Sequence, residues 1–193
     1  MSKFKTILLM LAMMCGAAFA EDPVTFVKTN MNPMIDAVSK SSKSGQSLDQ
    51  LVDNLGKMVY PIVDEKGLAQ KVTGSYWKSA SPSQQDEFTH LFVRLVIRSF
   101  IAYVAIGQDI DVKFRPVDAG NKKTVMVNTQ VSFSSGDKWK VNYLLKKDGD
   151  SWLVSDIIVD GLSLVSSYRE QFSAVLKKSG FSGLIDSLKK VTK

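Results

Sequence analysis

Residues 151–180 read SWLVSDIIVDGLSLVSSYREQFSAVLKKSG, and this stretch decides the fold. Ser151–Val159 is rich in β-formers and holds one carboxylate, Asp156, among apolar residues. Asp160-Gly161 breaks the strand, and Ser163 is placed to cap a helix. Leu164, Val165, Tyr168, Phe172, Val175 and Leu176 then recur at spacings of three and four, which predicts one buried helical face. Gly180 is positioned to end that helix in a left-handed conformation. Phe181, Leu184, Ile185 and Leu188 repeat the face over a shorter piece. A strand feeding directly into a helix of this kind points to an α+β domain.

Upstream, the period is two. Ile110, Val112 and Phe114 alternate with charged residues, as do Val125, Val127, Thr129, Val131 and Phe133 with polar ones and Met126. Trp139, Val141, Tyr143 and Leu145 form a third alternating run. The connectors between runs are short, polar and Gly-bearing, which predicts hairpins. Four antiparallel strands in a meander, with one apolar face, come out of this pattern.

The N-terminal half has helical period. A pattern from Phe26 to Val38 comes after Asp22-Pro23, with Pro33 inside it, and Ser39–Ser47 reads as a polar connector. Ser47 with Gln50, and Ser81-Pro82 with Gln84, are capping-box starts. The second opens a helix reaching about Ile106 that is apolar nearly all round, with His90, Arg94 and Arg98 as one polar stripe. An ordinary surface helix needs only about a 100° apolar face, so this one should be covered on several sides. The expected architecture is a four-stranded antiparallel curved sheet packed against helices, with further helices at both termini.

The first twenty residues set the expected compartment. Lys3 and Lys5 precede an apolar run from Ile7 to about Ala18, and Ala18-Phe19-Ala20 fits a small-x-small cleavage site. This reads as a signal peptide, residues 1–20, and then a single domain over residues 21–193. The run is too short to span a bilayer, and later segments lack 18 consecutive apolar residues, so the mature chain is expected to be soluble. The one cysteine, Cys15, falls inside the signal, so the mature core must hold without disulfides. Cleavage takes two lysines and no acid, lowering the formal charge from +6 to +4. That charge is too small and scattered for nucleic-acid binding, and favours approach to anionic surfaces.

Catalytic chemistry finds few footholds. A Ser–His–Asp triad would need His90, the single histidine, which lies four residues after Asp86 as an exposed helix pair would. Gly161-x-Ser163 is half a nucleophile elbow without the second Gly, and N-capping explains Ser163 more simply. No spacing suits a metal, and no Gly-rich loop joins a strand to a helix, so no cofactor is expected. Asp156 has two readings. It is a general base in a roll-shaped pocket, working with a tyrosine such as Tyr143, or it is a buried structural acceptor, and the second is preferred.

The string DIIVDGLSLVSSYREQF, with KKSGFSGLIDSL after it, closely resembles the C-terminal signature of the toluene-tolerance or MlaC family of periplasmic phospholipid-binding proteins. The resemblance extends through GSYWKSASPSQQDEF, residues 74–88, and covers most of the chain after about Leu48. It implies a sheet wrapped around helices like a nuclear-transport-factor roll, and a non-enzymatic, monomeric carrier of phospholipid in the periplasm. The implied partners are an inner-membrane ABC transporter with an MCE-domain component and an outer-membrane lipoprotein–porin complex, serving outer-membrane lipid asymmetry. A hopanoid or other apolar lipid is the alternative cargo.

The resemblance further implies an interior partly open to acyl chains. Its expected lining is the inward set of strands two to four, Val125, Val127, Val131, Val141, Tyr143, Leu145, Val154 and Ile158, with Phe92, Leu95, Phe100 and Tyr103 of the long helix. Val154 and Ile158 share parity with Asp156, so periodicity alone leaves the facing of the fourth strand open.

Overall fold

A computed structural model describes residues 21–106, 110–117, 119–120 and 122–192, with the side chains of residues 42, 43 and 106 excepted. The expected signal peptide, with Cys15, lies outside the described residues. Among the described residues there are five α-helices and one antiparallel sheet of five strands.

Helix α1 (Pro23–Ser44) starts where Asp22 accepts the Thr25 N–H at 2.8 Å, and it stops at Gly45 with φ of 67°. The Ser-rich segment expected to be a connector therefore continues the helix. Ser41 Oγ donates to the Val38 carbonyl at 2.7 Å and Ser44 Oγ to that of Ser41 at 3.1 Å, so these hydroxyls satisfy themselves along the helix. Only the Gly at its end supplies a stop. Helix α2 (Leu48–Val59) carries the capping box read from Ser47 and Gln50. After a 3-10 turn at Tyr60–Ile62 come α3 (Glu65–Thr73) and a 3-10 segment at Gly74–Ser79. Helix α4 (Pro82–Ile106) is the spine, opened by the reciprocal Ser81–Gln84 bonds at 2.9 and 3.3 Å.

The strands β1 (Asp111–Phe114), β2 (Thr124–Ser132), β3 (Lys138–Asp148), β4 (Ser151–Val159) and β5 (Leu162–Ser163) pair in sequence order. The four-strand meander is thus extended by a two-residue edge, β5, as the chain turns back through Asp160-Gly161. Helix α5 (Leu164–Val191) closes the chain; at Gly180 (φ 65°, ψ −168°) it breaks into two helical pieces. That conformation belongs to glycine but differs from a left-handed helix cap, so the chain turns rather than simply ending.

Two apolar cores share α4. The first lies between the sheet and α1, α2 and the α4 residues Val93, Ile97, Ile101 and Val104. The second joins α3, the 3-10 segment after it, α5 and the α4 residues Phe88 and Phe92. Although α4 is long and apolar enough to cross a bilayer by composition, its all-round apolarity serves both cores.

Candidate functional site

The sheet has one face toward the first core. Direct cross-strand partners lie on the same side of an antiparallel sheet. Val125 faces Leu145, Val127 faces Tyr143 and Thr129 faces Val141. Across β3 and β4, Val141 faces Val159, Tyr143 faces Ile157 and Leu145 faces Val154. The register shifts between Leu144 and Leu145, because Ser155 is an extra residue on β4. This bulge flips the parity of β4 at its middle. Trp152 and Val154 point inward before it, and Ile157 and Val159 after it.

The expected lining is corrected accordingly: Ile158, paired with Asn142, lies on the outer face, and Ile157 holds the inner place. The physical reason is the inserted residue, since a strict period of two carried through Ser155 puts the wrong isoleucine inside. The polar pair Ser155-Asp156 inside an apolar run is the available sequence signal.

The remaining expected residues fall in three places. Val125, Val127, Tyr143, Leu145 and Val154 are buried in the first core, with Phe100 and Val141 half-buried against it. Val131 is half-buried farther along the same face. Phe92 and Leu95 lie instead in the second core, where the Phe92 ring meets Tyr168 at 5.2 Å and Phe172 at 5.8 Å between centroids. Tyr103 is 57% exposed, its ring edge-on to Trp139 at 5.7 Å. Phe133 meets the same Trp139 edge-on at 4.7 Å. An aromatic rim therefore stands at the end of the inner face where β2 and β3 meet, beside the half-buried Val131, Val141 and Val159 and the exposed Leu162.

From rim to interior, packing tightens. Val127, Leu145 and Leu55 are fully buried. From the rim inward, half-exposed apolar surface gives way to close-packed side chains. Burial raises the Tyr143 hydroxyl pKa well above the ordinary phenol value, so this wall is neutral.

Asp156 occupies the opposite face, paired with Leu144. Its Oδ1 accepts the N–H groups of Ile157 (2.8 Å) and Val165 (3.1 Å), and its Oδ2 accepts the Ser163 hydroxyl at 2.6 Å. Ser163 Oγ in turn accepts the Ser166 N–H at 3.0 Å as N-cap of α5. The carboxylate ties strand to helix, its charge set against the positive end of the helix dipole. Tyr143 and Asp156 project from opposite faces of the sheet, so the two cannot share a substrate.

His90 is also structural. Its ring stacks on Tyr60 at 5.8 Å, with Tyr60 Oη 2.9 Å from Nδ1, rather than pairing with Asp86. Arg94 and Arg98 continue the stripe onto α2: Arg94 pairs with Asp53, and Arg98 with Asp49 at 3.2 Å. No group of three or more metal-capable side chains occurs among the described residues.

A family model described as MlaC protein matches residues 28–190. The chain belongs to the MlaC family. Among MlaC relatives, the toluene tolerance protein ttg2D of Pseudomonas putida is 27% identical over 66% of this chain. The matched stretch spans 60% of that relative's length. The intermembrane phospholipid transport system binding protein MlaC of Haemophilus influenzae is 22% identical over 79% of this chain and 73% of its own. A solved structure of a phospholipid-binding protein from Ralstonia solanacearum, in complex with a phospholipid, superposes with a TM-score of 0.78. It is 27% identical, with 89% of this chain and 97% of that one covered. The α+β fold expected from the sequence is therefore the MlaC fold.

Proposed function

We propose that this protein is a periplasmic carrier that shelters the acyl chains of a phospholipid in its sheet-side core. The observation that carries the reading is the likeness, over nearly the whole chain, to the Ralstonia protein that holds a phospholipid. The inner face supports it: apolar, neutral, and graded from a half-exposed aromatic rim at Tyr103 and Trp139 to a tightly packed floor at Val127 and Leu145. Phe100, Val125, Val131, Val141, Tyr143, Val154 and Ile157 make the walls of the proposed site. Phe92 and Leu95 act from behind, as part of the second core against which α4 leans.

Exposing acyl chains to water costs ~0.8 kcal/mol per CH₂, so roughly 28 methylenes in two chains amount to on the order of 20 kcal/mol. A carrier that matches the bilayer's apolarity removes this barrier without chemistry. The role is then passive, non-enzymatic shuttling between an outer-membrane lipoprotein–porin complex and an inner-membrane transporter with an MCE-domain component. The residue 1–20 segment would deliver the chain to the periplasm.

Native mass spectrometry of protein purified from periplasm is the test. About one diacyl lipid per chain is expected. A lipid-free protein that also takes up none from liposomes would remove the proposal, and bound hopanoid would replace the cargo. Val127→Trp should lower lipid per folded chain at least tenfold, at a stability cost of about 1–3 kcal/mol, because the added ring overpacks the floor of the site.

A further inference from the structure

The outer sides of α1 and α2 leave a groove of about 450 Å³, far from the aromatic rim in sequence and built from other elements. Ala37, Lys40, Ser41 and Ser44 line it from α1, and Leu51, Asn54, Lys57 and Met58 from α2, at spacings of three and four. About two turns of each helix face the same furrow. Its floor is apolar, with Met58 39% exposed, and its two charged lining residues are both lysines, one on each helix. The acids of α2 are turned elsewhere: Asp49 and Asp53 are engaged with Arg94 and Arg98 of α4. The α2 helix thus carries its negative charge on the α4 side and presents positive charge beside the furrow.

From this charge separation we propose that the groove docks an acidic amphipathic helix of a partner protein. A furrow between two helices accepts a cylinder, whose apolar residues at i, i+3 or i+4 and i+7 would reach Leu51 and Met58. Acidic residues flanking that stripe would meet Lys40 on one rim and Lys57 on the other. A planar bilayer does not enter a concave furrow, and the net positive charge of the chain disfavours a second copy as the occupant. The inference stands on α1 and α2 alone, whatever the interior carries.

The test uses the full mature chain and two synthetic stapled helical peptides with the same Leu stripe, one flanked by Glu and one by Lys. Fluorescence anisotropy should show the Glu peptide binding at least tenfold more tightly than the Lys peptide. The difference should shrink in about 0.5 M salt, where the Debye length falls to roughly 4 Å. Lys40→Glu with Lys57→Glu should weaken the Glu peptide about tenfold or more. Ser41→Trp, which fills the furrow without changing charge, should abolish binding of the Glu peptide, and lipid content by native mass spectrometry should be unchanged in both variants. Equal binding of the two peptides, or indifference to these substitutions in variants with wild-type circular dichroism, overturns the proposal. So does self-association, or binding to vesicles with about one-third phosphatidylglycerol, that the same substitutions abolish while peptide binding persists.

Discussion

At the scale of single residues, burial and pairing decide what each polar group does. Asp156 stands among β-formers yet serves three donors at a strand–helix junction. The sequence leaves it two readings because an acid between apolar neighbours looks alike in both. What settles its use is which side of the sheet it leaves, and Ser155 decides that by adding a residue to β4. Tyr143 yields a pH prediction. Its pKa is raised by burial, so above about pH 10 the unfolded chain loses this proton while the folded chain keeps it. The unfolded state then binds fewer protons, and stability falls as pH rises. The slope approaches about 1.4 kcal/mol per pH unit until the folded-state pKa is reached. Urea melts between pH 8 and 11 should show a steeper alkaline loss in the parent than in Tyr143→Phe.

At the scale of elements, local signals of fixed geometry are legible and signals of composition are not. The Ser47–Gln50 and Ser81–Gln84 boxes open α2 and α4 as read, because a capping box is completed within four residues. Ser47→Ala should cost about 1 kcal/mol in chemical denaturation, since the Gln50 N–H loses its acceptor. The Ser39–Ser44 segment looks like a linker by composition, but serine only weakly opposes a helix already nucleated upstream. Val38, 3% exposed, anchors that last stretch to the first core. The short edge strand β5 is illegible for the opposite reason. Two residues carry no readable period, and only pairing with Ile158 and Val159 makes Leu162–Ser163 a strand.

At the scale of the molecule, α4 divides the interior into a sheet-side core and a helix-side core. Phe88, fully buried, meets Phe92, Phe172 and Phe181 at centroid distances of 5.8, 5.9 and 5.3 Å. Phe88→Ala should therefore destabilise the fold by about 3–5 kcal/mol in urea titration. In the proposed division of labour, lipid per folded chain should stay at the parent level, whereas in Val127→Trp it should fall at least tenfold. Loss of lipid in folded Phe88→Ala would show that the two cores act as one.

The amino-acid order by itself determined the α+β class, the four long strands, the starts of α1, α2, α4 and α5 and the family, since these depend on periods and short motifs complete within a few residues. It also supplied most of the inner-face residues of β2 and β3, where alternation runs unbroken. Tertiary structure alone decided that Ile157 rather than Ile158 faces inward and that Phe92 and Leu95 belong to a second core. It likewise turned the acids of α2 toward α4 and left two lysines beside the open groove. These are facts about which surfaces meet across distant parts of the chain, and no local period encodes them.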